Sequence, residues 1–124
     1  MLALDIRQAN TQRGLFRALY PTFERPLRDS ILNFLRLLAE RGVGWPAFIF
    51  VTIADARGLF LIKNQLFEQS EHQFDQEVLE LPEIEVTDGR FEDVSLKMVL
   101  DIVWNAVGVA SSPSFDSDGN WRSN

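Results

Sequence analysis

Ala47-Phe48-Ile49-Phe50-Val51-Thr52-Ile53 is the run on which the reading of this chain turns. It is β-branched and aromatic, with apolar side chains at both odd and even positions, and Pro46 introduces it. A strand with two apolar faces suits the centre of a sheet. The pattern predicts Phe48 and Phe50 buried on one sheet face and Ile49 and Val51 on the other. Asp55-Ala56-Arg57-Gly58 follows as a hairpin turn, with glycine at the left-handed position. Residues 59–62 then form the partner strand, and the polar stretch 63–73 reads as a loop.

Upstream, the clearest helix covers residues 24–41. Leu27, Ile31, Phe34, Leu35 and Leu38 share one face at spacings of three and four. Pro26 is tolerated in the first turn, and Gly42 supplies the stop. Nearer the N-terminus, Leu2, Leu4 and Ile6 alternate with Ala3, Asp5 and Arg7, which suits a half-buried strand. Residues 10–14 are turn-like, and residues 15–20 return as a second strand or, as the competing reading, a short helix.

Downstream, residues 78–86 contain a change of phase. Leu79 and Leu81 are apolar at odd positions, Ile84 and Val86 at even ones, and Pro82 lies between them. A proline with a flip of face is the pattern of a bulged or broken edge strand. Glu80, Glu83 and Glu85 would discourage that edge from pairing with another. A last helix over residues 93–107 places Leu96, Val99, Leu100, Val103 and Val107 on one face. Asp93 or Ser95 can cap it, and Gly108 ends it. Beyond Ser111 the chain is rich in Ser, Asp, Asn and Gly and reads as irregular.

The chain has 124 residues, the size of one domain, with 46% hydrophobic and 24% charged residues. That balance belongs to a globular protein. It contains no cysteine, which removes disulfides and thiolate metal sites. No apolar run approaches the roughly 18 residues of a membrane span. The N-terminus lacks the basic-then-apolar layout of a signal peptide, so a cytoplasmic location is expected. The net charge of −6 is unevenly spread. Up to Arg41 there are seven arginines against four acids, whereas from Gly42 onward five bases face fourteen acids. Arginine suits bidentate contact with phosphate or carboxylate. The simpler reading is that the two parts are solvated faces of one fold.

Catalytic and metal signatures are weak. His72 is a lone histidine in a polar stretch, and no G-x-S-x-G elbow accompanies it. Asp116-Ser117-Asp118-Gly119-Asn120 begins like a calcium loop, but its glycine comes too early and no bidentate glutamate follows. A turn that directs Trp121 back onto the body explains it better. The acids between Glu68 and Asp93 read as solvent-facing. No P-loop, dinucleotide fingerprint or H-E-x-x-H is present. No cofactor or metal is expected. The many aromatics, among them Trp45, Phe48, Phe50, Phe60, Phe67, Phe91, Trp104 and Trp121, raise the question of what covers the second face of the hairpin.

Three segments taken in order carry a family resemblance. They are the strand-turn-glycine-strand layout of residues 48–61, the run Phe-Asp-Gln-Glu-Val-Leu-Glu-Leu-Pro-Glu-Ile-Glu-Val at 74–86, and residues 101–121. Within the last, Trp104-Asn105-Ala106-Val107-Gly108 and Asp118-Gly119-Asn120-Trp121 are the more specific pieces. Together they resemble the region that follows the AlbA-type domain in bacterial Schlafen-related proteins, whose defining domain is a nucleotide- or nucleic-acid-binding module. That defining domain has no counterpart in this sequence, and the resemblance brings no catalytic residue with it.

The expectation is therefore an α+β fold in the order ββαβββα, with a mainly antiparallel sheet packed against two amphipathic helices. Residues 1–110 form one domain and 111–124 an extended C-terminal arm. The expected function is a non-enzymatic accessory or protein-interaction module. The alternative is weak nucleic-acid binding through the arginine-rich N-terminal part. Arg25, Arg28, Arg36, Phe48, Phe50, Phe60 and Trp121 are the candidate interaction residues. An AlbA-type partner domain or a second copy of the chain is the expected partner, with nucleic acid and membrane disfavoured.

Overall fold

The computed structural model describes residues 6–11, 14–61 and 73–122. It is an α+β fold. Strands β1 (Ile6–Thr11) and β2 (Gly14–Leu19) form an antiparallel hairpin in the register Ile6↔Leu19 to Thr11↔Gly14. Residues 15–19 are thus strand rather than helix, and β1 runs one residue past the start of the expected turn. The first half of the expected N-terminal strand, residues 1–5, lies outside the described residues. A 3-10 turn (Pro21–Phe23) leads into helix α1 (Glu24–Glu40).

Helix α1 buries Glu24, Leu27, Ile31 and Leu35, a narrow stripe at helical spacing. Phe34 does not join it and remains 58% exposed. It sits at the margin of the stripe, where nothing among the described residues covers it. Helix α2 (Asp93–Asn105) buries Leu96, Val99, Leu100, Val103 and also Trp104. Val107, just past its end, is buried too. The cap of α2 differs from expectation: Glu92 is the N-cap residue, and no side chain bonds the free amides there.

Both helices stop where glycine permits. Gly42 has φ +70 and Gly108 φ +85. The Gly42 and Val43 amides donate to the Ala39 and Leu38 carbonyls, and the Gly108 and Val109 amides to those of Asn105 and Trp104. This paired bonding is the Schellman arrangement, which satisfies the last carbonyls of a helix.

Residues 47–53 give β3 (Ala47–Ile49) and β4 (Thr52–Ile53). They pair antiparallel with β7 (Ile84–Val86) and β6 (Leu79–Glu80) respectively. Between the two ladders, Phe50 and Val51 oppose Leu81, Pro82 and Glu83. The extra residue is a bulge at Pro82, where the sequence phase changes. It lets Leu79, Leu81, Ile84 and Val86 all reach the core. The Leu81 amide still donates to the Val51 carbonyl at 3.1 Å within the bulge.

The expected hairpin between residues 47–53 and 59–62 does not form. The turn at Ala56–Leu59 exists, closed by the Leu59 amide on the Ala56 carbonyl at 2.8 Å, with Gly58 at φ +81. It redirects the strand instead of reversing it. Beyond it, Gly58 and Leu59 bond with Phe74, and Phe60 bridges to Gln73. Residues 47–61 and 73–86 thus form one long, kinked, two-stranded ribbon. Strand β5 (Phe60–Leu61) also pairs parallel with Ala18 and Leu19 of β2. In place of one mainly antiparallel sheet there are three small ones.

A ribbon of two strands has one covered face and one open face. Ile53 is buried and Ala47, Ile49 and Val51 pack against the core, whereas Phe48 is 51% and Phe50 70% exposed. The central-strand expectation for Phe48 and Phe50 is therefore corrected: no layer among the described residues covers their side. The principal core lies between the inner face of the ribbon and the two helices, and includes Phe23, Leu59, Leu61, Phe74 and Phe115. No helix among the described residues is long and apolar enough to cross a membrane.

Candidate functional site

Two of the expected interaction residues meet at the start of α1. The last described segment folds back against that helix. An open cleft of about 630 Å³ separates them, with Arg25, Pro26 and Asp29 on one side and Pro113, Trp121 and Arg122 on the other. Trp121 is placed by the turn before it. Asp116 Oδ1 accepts the amides of Asp118 and Asn120, each at 2.9 Å, and Gly119 takes φ +84. An aspartate bonding its own following backbone makes a tight turn. Phe115 and Trp121 then bridge, their rings edge to face at 5.4 Å between centroids.

Arg28, three residues along α1 from Arg25, is already engaged. Its Nε donates to Asp93 Oδ1 at 3.0 Å, and its guanidinium carbon is 5.2 Å from the centroid of the Trp121 ring. A stacked, ion-paired arginine joins elements and is poorly placed to grip a phosphate. Arg36 is exposed and donates to Asn33 Oδ1 at 3.2 Å, outside the cleft. Arg25, Arg28 and Arg36 thus do not form a free cationic stripe. Phe60 is half-buried in β5, apart from Phe48 and Phe50 on the outer face of β3 and the bulge.

Next to Arg25, at the first position of α1, stands a group that the sequence reading missed. Glu24 has no exposed surface. Its Oε1 accepts Trp104 Nε1 at 2.5 Å and its Oε2 accepts Ser112 Oγ at 2.6 Å. Burial raises its pKa above the usual carboxylate value, and nearby Asp101 adds to the rise. Hydrogen bonds from Ser112, Ser114 and Trp104 oppose it. Asp101 in turn accepts the Ser112 amide at 2.8 Å and Lys97 Nζ at 2.5 Å. With both oxygens held and no solvent contact, Glu24 acts as a tie between α1, α2 and the final segment. Among the described residues no buried side-chain polar atom lacks a partner. A signal for Glu24 was present: it stands three residues before Leu27, on the apolar stripe itself.

The other sequence candidates are simply placed. Glu80, Glu83 and Glu85 are exposed on the ribbon. No group of three or more metal-binding side chains occurs among the described residues, and Asp116 spends its side chain on the turn. His72 lies outside the described residues. Compared with protein-family models, curated proteins and solved structures, the chain matches none.

Proposed function

We propose that this chain is a protein-interaction module that docks through the outer face of its ribbon. The observation that carries this reading is the exposure of Phe48 and Phe50, at 51% and 70%, on one side of one strand run. Phenylalanine is a costly residue to leave in water twice in succession. At roughly 200 Å² per side chain, covering what is exposed would contribute about 6 kcal/mol before the costs of association. Acids border the stripe: Glu85 stands opposite Phe48, and Glu80 opposite Thr52. An apolar centre with a charged rim is the usual anatomy of a docking surface. The resemblance to the region after an AlbA-type domain supports the same reading, with such a domain or a second copy as the partner.

Sedimentation at micromolar concentration, alone and with a purified AlbA-type domain, tests the proposal. Association is expected, and should be lost in Phe48→Ser/Phe50→Ser while circular dichroism stays unchanged. A monomer that binds neither the domain nor a hydrophobic dye would refute it.

A further inference from the structure

The second strand of the ribbon has an edge that the docking face does not use. β7 pairs with β3 on one side, and among the described residues no strand pairs with its other edge. Helix α2 runs beside that edge. Between them lies a trough of about 440 Å³, with Pro82, Ile84 and Glu85 on the strand side and Met98, Ile102 and Asn105 on the helix side. A smaller hollow of about 180 Å³ shares Ile84, Glu85 and Ser95 with it and continues to Phe91.

An open strand edge offers unpaired amides and carbonyls to any extended chain. Proline and charged side chains commonly guard such edges, and Pro82, Glu83 and Glu85 do so here. Guarding explains the acids but not the floor. Met98 is 66% exposed directly beside the edge, and Ile102 is only half-buried. A strand edge next to a helix, with apolar side chains between them, is the layout that binds a peptide by strand addition. Backbone bonds hold the added strand, and alternate side chains drop into the groove.

Charge selects the occupant. Glu83, Glu85, Asp88 and Glu92 line the two hollows, against Arg90 as the base among their lining residues. The same edge of a second copy would bring glutamate against glutamate. We propose that the trough binds an extended lysine- or arginine-containing segment of a partner protein, added as a strand to β7, with apolar side chains against Met98 and Ile102. From Ser95 to Asn105 the helix spans about 15 Å, room for roughly four to five residues of strand. This site shares Glu85 with the rim of the docking face but includes neither Phe48 nor Phe50.

A fluorescein-labelled peptide of alternating lysine and valine, titrated by fluorescence anisotropy, tests the site. Saturable binding that weakens with salt is expected. Glu83→Lys/Glu85→Lys should weaken it about tenfold or more, as loss of interfacial charge pairs does. The same peptide N-methylated at alternate residues should also lose binding, since those amides can no longer pair with β7. A glutamate–valine peptide should not bind, and Phe48→Ser/Phe50→Ser should bind normally. Failure of the lysine–valine peptide to bind overturns the proposal. So does binding indifferent to charge reversal or N-methylation, or binding lost with the two phenylalanines.

Discussion

Replacing Glu24 separates a structural carboxylate from an incidental one. In Glu24→Ala, the Trp104 indole N–H and the Ser112 hydroxyl lose the oxygens they bond at 2.5 and 2.6 Å. Each orphaned buried group costs about 1–3 kcal/mol, and the lost methylene about 0.8 kcal/mol. Removing a buried charge returns part of this, so the expected net loss is about 3 kcal/mol. Glu24→Gln keeps an acceptor for Trp104 and offers an amide to Ser112 Oγ, so it should stay within about 1 kcal/mol of the parent. The pH dependence has a definite sign. The folded-state pKa of Glu24 is raised above its ordinary value of 4.5, so the folded protein holds that proton more tightly than the unfolded chain. Its contribution is fully present below pH 4.5 and is lost as pH rises through the folded-state value. Urea titrations at pH 5 and pH 7.5 should therefore show the balance moving toward Glu24→Gln at the higher pH. A loss below about 1 kcal/mol for Glu24→Ala, or a balance that moves the other way, would refute the assignment.

Gly89→Ala should destabilise by more than about 1 kcal/mol in the same assay: Gly89 has φ +83, and a Cβ there would lie 2.9 Å from the Trp45 ring. Trp121→Ala removes the edge-to-face contact with Phe115 and the cover over Arg28, for a loss of about 1–3 kcal/mol by thermal or urea unfolding. Nucleic acid should bind no tighter than about 10 μM near physiological salt, because Arg28 is spent on Asp93 and Trp121. Tighter binding in an anisotropy titration, abolished by Arg28→Ala/Arg36→Ala, would reverse that conclusion.

What could be read from the sequence was local. Gly42 and Gly108 end their helices because each stop depends on a single residue's backbone freedom. The core face of α2 follows from spacing alone. The bulge at Pro82 shows in the sequence as a change of phase, since a strand that bends must move its apolar set to the other parity. What could not be read was pairing across distance. Phe48 and Phe50 carry the same pattern whether a sheet is covered on one side or both, and only the arrangement of other elements decides that. Gly58 signalled a turn correctly, but a turn does not declare whether the chain will double back. The parallel pairing of β2 with β5 joins segments some forty residues apart, and nothing local to either announces it. Among the expected interaction residues, Arg25 and Trp121 share a cleft. Arg28 proved to be a joint between α1, Asp93 of α2 and Trp121, and Arg36, Phe60 and the Phe48–Phe50 pair lie elsewhere.

The tie at Glu24 also has a consequence for the time at which this protein can become itself during synthesis. Helix α1 emerges early, yet its buried carboxylate finds Trp104 only 80 positions later and Ser112 only 88 positions later. At about 5–20 residues per second, several seconds pass during which that helix can form but cannot settle. An ionised glutamate on its apolar stripe keeps it hydrated in the interval. Synthesis of residues 104–112 supplies the two donors, and the nascent helix is committed to the core by a segment made long after it.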